Sequence, residues 1–264
     1  RSHDIDGTAQ VVLWCFAASS ALFWLLGSPF TGNDNGLHRL YRDRLSAAFR
    51  LTQPGNALLL LSKLSCNSPY LLVNATLNAS VIDDHEDENP KSDPDTIGKP
   101  DPAKRGRNAD FFLFSRLFTG SSSTGYATTA EMENVEPRLD LATAVAISGA
   151  AVSSSMGRIK IGLLGATLAL LNLKLGFWLT NPKLFDPVYA FGKDRLNAWS
   201  DRLRLYLFAE VRGQLRVNSA KVYVTDGGHI DNLGVYQLLK RRCKYIVVID
   251  GEADPGMTFS AFSD

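Results

Sequence analysis

Apolar and polar positions follow different rhythms along the chain, and each rhythm predicts an element. From Thr8 to Gly27, TAQVVLWCFAASSALFWLLG carries no charged side chain, and none occurs between Asp6 and Asp34. About 20 helical residues cover roughly 30 Å, the thickness of a hydrocarbon core, so this run is expected to form a transmembrane helix. A buried core helix is the alternative, but such helices usually keep polar positions along one edge, and Thr8, Gln10, Ser19 and Ser20 supply that only weakly. Pro29 closes the run. The following GLHRLYRDRLSAAFR, residues 36–50, predicts a basic amphipathic helix. Its Arg39, Arg42, Arg44 and Arg50 would flank the span on the cytoplasmic side, or simply form a solvated face, with His38 read as a surface residue.

A two-residue rhythm takes over in PYLLVNATLNASV, residues 69–81, which predicts a strand. The segment 82–110 is acidic, rich in proline and almost devoid of large apolar residues, so it reads as an inserted loop, and His85 within it as part of a solvated acidic run. FFLFSRLFTGSSSTGY, 111–126, returns to apolar character and breaks on small residues. DLATAVAISGAAVSSSMG, 140–157, suits a helix or turn packed beneath a site. IGLLGATLALLNL, 161–173, is too short to span and fits a core or interfacial helix, and 197–213 reads as helical with Gly213 as its stop. Finally, KVYVTDGGHIDNLGVYQLLKRRCKYIVVIDGEADP, 221–255, reads as strand, turn, helix, strand. That order predicts a parallel crossover and therefore a mainly parallel sheet with helices on both faces, an α/β/α sandwich.

Composition narrows this picture. The 264 residues are 45% hydrophobic, enough for a substantial core, and 28 Lys and Arg nearly cancel 27 Asp and Glu. No global field therefore draws the chain to nucleic acid or anionic lipid, and any membrane attachment must be hydrophobic. Cys15, Cys66 and Cys243 are scattered, odd in number and in no C-x-x-C spacing, which argues against a disulfide framework or a zinc site. The Asn74-Ala-Thr76 and Asn78-Ala-Ser80 glycosylation patterns have no consequence in a cytoplasmic strand. The opening RSHDIDG has no initiator methionine and no basic n-region, so the chain is expected to be the later part of a longer polypeptide. Two regions are expected: 1–33 as the membrane segment with its flanks, and 34–264 as a catalytic-type α/β region.

The chemistry centres on Asp226. In parallel sheets, ligands gather at the carboxyl ends of strands, and Asp226 stands at such an end. Gly227 and Gly228, lacking β-carbons, let the chain turn sharply and let another backbone or a substrate approach the carboxylate. A partly desolvated carboxylate beside a serine hydroxyl can act as its general base; an Asp-Gly-Gly string is otherwise an ordinary turn. There is no G-x-S-x-G in the chain. Ser148 in AISGAA is the alternative nucleophile, although Ala146 replaces the flanking glycine; Ser122 and Ser154 come after it. His229 is expected to be structural. DGEADPG, 250–256, lacks the glycine and the terminal glutamate of a calcium loop, so neither metal nor cofactor is implied.

TDGGHIDNLGVYQLLKRRCKYIVVIDGEADP resembles the C-terminal motif region of bacterial patatin-like phospholipases. GLHRLYRDRLSAAF, YLLVNATLN, FFLFSRLFTGSSSTGY, AVAISGAAVSSSMG and LNLKLGFWLTNP resemble successive blocks of the large membrane-associated branch, in the same order. The resemblance implies a serine–aspartate dyad, with the serine in G-x-S-x-G, an oxyanion hole from an earlier glycine-rich loop, and the aspartate in D-G-G/A, which Asp226 matches. It also implies a lipid ester substrate, attachment to the bacterial inner membrane with the catalytic part cytoplasmic, no catalytic histidine and no nucleic-acid partner. The serine motif and the oxyanion loop have no counterpart here, so the nucleophile is expected upstream of this chain. The competing reading is a catalytically inactive membrane-bound scaffold or partner-binding protein that keeps the fold.

Overall fold

In a computed structural model of the chain, the described residues are 2–27, 33, 37–52, 57–66, 69–78, 109–150, 176–186, 215–251, 255–256 and 258. They build a six-stranded sheet from β1 (Leu72–Asn78), β2 (Ala109–Ser115), β3 (Phe118–Ser121), β4 (Gly125–Thr128), β5 (Phe177–Thr180) and β6 (Lys221–Asp226), in the order β4-β3-β2-β1-β6-β5. Every neighbouring pair is antiparallel. The expected parallel sandwich is therefore corrected to an antiparallel sheet curled into a half-barrel.

Local chemistry explains half of this topology. Only Arg116 and Leu117 separate β2 from β3, and only Ser122–Thr124 separate β3 from β4, links too short for a crossover. Gly125, at φ +68°, lets the second turn close. The other half is long-range: Leu77 faces Asp110 on one side and Val224 on the other. The expected crossover fails because its last strand does not form. Tyr245–Ile249 belongs to no strand, and its side chains are mostly exposed.

The core follows the pleat. Val73, Ala75 and Leu77 of β1, Phe112 and Phe114 of β2, Val222 and Val224 of β6 and Phe177 and Leu179 of β5 form one buried cluster. Alternation puts these on one face of the sheet. Helix α3 (Thr129–Val135) brings Met132 to the cluster and α4 (Leu141–Ser148) brings Leu141, Ala144 and Ile147. Both helices start on a side-chain cap. Thr128 forms a capping box with Glu131, and Asp140 accepts from the Thr143 amide at 2.8 Å, each cap contributing about 1 kcal/mol.

Helix α2 (Leu37–Phe49) lies against α4. Its inward face is polar: His38 and Ser46 are buried while Leu37 and Leu40 are exposed. The His38 ring sits 5.0 Å from that of Phe177, so His38 is a packing residue and not a surface one. Arg42, one helical turn on, donates to fully buried Asp140 at 2.6 Å and to the Thr143 hydroxyl at 2.9 Å. That arginine ties α2 to the start of α4.

Helix α1 (Ser2–Gly27) covers the long uncharged run, with Val11, Leu13, Trp14 and Phe16 exposed. The expected membrane helix is corrected as well: among the described residues, no helix is long and apolar enough to cross a membrane. The Ser19 hydroxyl donates to the helix's own Cys15 and Phe16 carbonyls. The predicted helices at 161–173 and 197–213, the segment 82–108, His85 and Ser154 lie outside the described residues.

Candidate functional site

Strand β6 is β-branched and aromatic, KVYVTD, and is flanked by β1 and β5, so Val222 to Thr225 are buried and Asp226 emerges at the rim. Asp226 shares the parity of Val222 and Val224, which places its β-carbon on the face covered by α4, opposite Ala75 of β1. Its Oδ1 accepts the Gly228 amide at 2.8 Å, capping a short 3-10 turn over Gly227–His229. The carboxylate is thus held by its own turn in one orientation at a half-buried rim.

The two glycines are required by proximity. A β-carbon on Gly227 would lie 2.6 Å from the Asn74 carbonyl oxygen, and one on Gly228 would lie 2.8 Å from Asn232 Oδ1 and 3.3 Å from Asp226 Oδ1. The close approach expected at this turn is made by the backbone of β1. On the other face of the sheet, Asn78 donates to Thr225 Oγ1 at 2.7 Å, and that hydroxyl lies 3.2 Å from His229 Nδ1. His229 is thus hydrogen-bonded back to its own strand, away from the role of a triad histidine.

Further anchoring comes from Asn74, which the sequence marked only as part of a glycosylation pattern, and from Asp231 and Tyr236, which it did not single out. Asn74 donates to the Asp231 carbonyl at 3.3 Å, and Asp231 Oδ2 accepts the Tyr236 amide at 3.0 Å, opening α5 (Tyr236–Lys240). The Tyr236 ring stacks on Phe111 of β2, with centroids 4.3 Å apart and planes 5° from parallel. The loop after the Asp-Gly-Gly turn is therefore pinned to β1 at one point and to β2 at another. The only sequence signal was that Asn74, Thr76 and Asn78 alternate on one face of β1.

Helix α4 packs on β1, on β6 and on the Asp-Gly-Gly turn, so the structure brings the Ser148 helix and Asp226 to the same end of the sheet. The geometry of Ser148 itself is wrong for a nucleophile. It is the last residue of α4, where the helix dipole presents partial negative charge and disfavours an alkoxide. The amide that follows a nucleophile normally helps to bind the oxyanion, but here the Gly149 amide donates to Val145 O at 3.1 Å. A β-carbon on Gly149 would meet the Tyr41 hydroxyl at 2.6 Å. Gly149 thus allows α2 to close on α4, which is a packing role.

Ser122 is placed elsewhere, in the β3–β4 turn, where its hydroxyl donates to Asp110 at 3.0 Å. Asp110 Oδ2 also accepts the Ser123 amide at 3.0 Å and the Ser123 hydroxyl at 2.6 Å, while Oδ1 takes the Phe111 amide at 2.8 Å. A carboxylate engaged by four donors orders the β3–β4 turn. Burial and the charge of Asp110 push the nearby Tyr126 phenol up.

No family model, curated protein or solved structure matches the chain.

Proposed function

We propose that this chain is the aspartate-bearing part of a patatin-like lipid acyl hydrolase, with Asp226 as the general base of a serine–aspartate dyad. The serine belongs to a segment outside these 264 residues. In the reaction the serine hydroxyl attacks the ester carbonyl and passes its proton to Asp226; the alcohol leaves, and water then hydrolyses the acyl-enzyme. One observation carries this reading. The Asp226 carboxylate is fixed at the rim of β6 by the Gly228 amide, while the β1 backbone fills the space a side chain at Gly227 would need. Such fixing is what a base needs to meet an incoming hydroxyl in one geometry.

The test uses the native gene product that contains this chain. A fluorophosphonate probe is expected to label that protein and to leave residues 1–264 unlabelled, because only an activated serine reacts efficiently. Asp226→Asn should lower lipid-ester hydrolysis by about 10²–10⁴-fold, the usual contribution of a general base, with the thermal midpoint unchanged. Labelling of residues 1–264 that vanishes in Ser148→Ala would transfer the nucleophile to Ser148. Full turnover in folded Asp226→Asn would leave the inactive scaffold as the better reading.

A further inference from the structure

The run Tyr245–Ile249 has the composition of a strand and the surroundings of none. Its backbone makes no hydrogen bond with any other described residue. Exposure alternates along it: Tyr245, Val247 and Ile249 are 84%, 86% and 89% exposed, whereas Ile246 is half-buried and Val248 falls to 37%. The run therefore turns Tyr245, Val247 and Ile249 to solvent together, and its backbone hydrogen-bonding groups are unused by the other described residues. Such an edge is a template for another strand.

The charges that bracket the run specify which strand fits. Lys244 precedes it and Asp250 follows it. When two copies pair antiparallel about a two-fold axis through Val247, Lys244 of each meets Asp250 of the other, Tyr245 meets Ile249, Ile246 meets Val248, and the two Val247 meet each other. Opposite charges fall together at both ends, and Tyr245, Val247 and Ile249 of both copies join in one apolar patch. A parallel in-register pair would instead set Lys244 against Lys244 and Asp250 against Asp250. We propose that Tyr245–Ile249 is a self-pairing edge, and that its occupant is a second copy of this chain, antiparallel and centred on Val247. The interface is isologous, so it closes at a dimer and does not grow into a fibre. A two-stranded ribbon is marginal alone, which makes the dimer concentration-dependent. This inference is independent of the proposed chemistry at Asp226.

The test is carried out on residues 1–264 with Cys15, Cys66 and Cys243 replaced by serine. Facing α-carbons in an antiparallel pair lie about 4.5–5.5 Å apart, within disulfide reach. Val247→Cys should cross-link to itself under mild oxidation. Tyr245→Cys should not, but should cross-link when mixed with Ile249→Cys. Sedimentation of the cysteine-free chain should show a monomer–dimer equilibrium. Lys244→Glu and Asp250→Lys should each weaken it by about tenfold, since like charges placed opposite one another are destabilising, and an equimolar mixture of the two should restore it. All these positions are exposed, so the thermal midpoint of the monomer serves as the folding control. A monomer at every concentration, self-cross-linking of Tyr245→Cys, or no recovery in the mixture would overturn the proposal.

Discussion

Two stretches of this chain are written almost alike. Lys221–Asp226 reads KVYVTD followed by Gly227, and Lys244–Asp250 reads KYIVVID followed by Gly251. The first is an inner strand with β1 on one side and β5 on the other, and its Val222–Thr225 side chains are at most 2% exposed. In the second, Tyr245–Ile249 belongs to no strand. Gly227 is pressed against the Asn74 carbonyl, whereas Gly251 has nothing within 4 Å of the position a β-carbon would take. Strand propensity is the same in both; what differs is whether a complementary edge is present. A β-rich string therefore states a readiness to pair, and its neighbours decide whether pairing occurs.

Matched substitutions break this comparison open. The largest effect is expected from Val224→Asp, which puts an unpaired charge among Leu77, Phe177 and Val222 and should lower stability by about 3–5 kcal/mol. Val247→Asp, three residues after the leading lysine of the second run as Val224 is of the first, should stay within about 0.5 kcal/mol while removing self-association. Urea unfolding of both variants measures the difference, and equal losses would mean that Tyr245–Ile249 is as well buried in solution as β6.

Next come the glycines. Gly227→Ala forces its β-carbon onto the Asn74 carbonyl and should cost about 1–3 kcal/mol, as overpacking generally does; Gly251→Ala should be neutral by the same unfolding assay. A neutral Gly227→Ala would show that the approach of β1 to the turn is looser than 2.6 Å implies. The smallest contrast concerns the residue before each aspartate. Thr225→Val removes the hydroxyl shared by Asn78 and His229 and should cost about 1 kcal/mol, with the His229 ring resonances shifted in NMR spectra. Ile249→Thr should leave both stability and those resonances unchanged.

Local elements were legible where one interaction range sufficed. The alternation in 69–81 marked β1, the turn chemistry of Asp-Gly-Gly marked the end of β6, and the small-residue run after Asp140 marked α4. The turn at Asp226 was legible for the same reason, since it is closed by its own Gly228 amide. The anchors Asn74, Asn78 and Asp231 were not found, because the bonds that give them meaning join residues 147 to 157 positions apart. In α2, the sequence read a basic amphipathic helix with His38 at its surface, whereas burial of His38 and Ser46 and the Arg42–Asp140 pair depend on what α4 and β5 offer.

By itself, then, the sequence determined the elements whose causes are local: the caps of α3 and α4, the tight links between β2, β3 and β4, and a carboxylate held at a glycine turn. Strand direction and partner choice were decided only in three dimensions. Strand β1 takes β2 on one edge and β6 on the other, with Leu77 facing Asp110 and Val224, and no string of residues states which edges will meet. A strand satisfies its backbone only through another strand, while a helix or a turn satisfies its own.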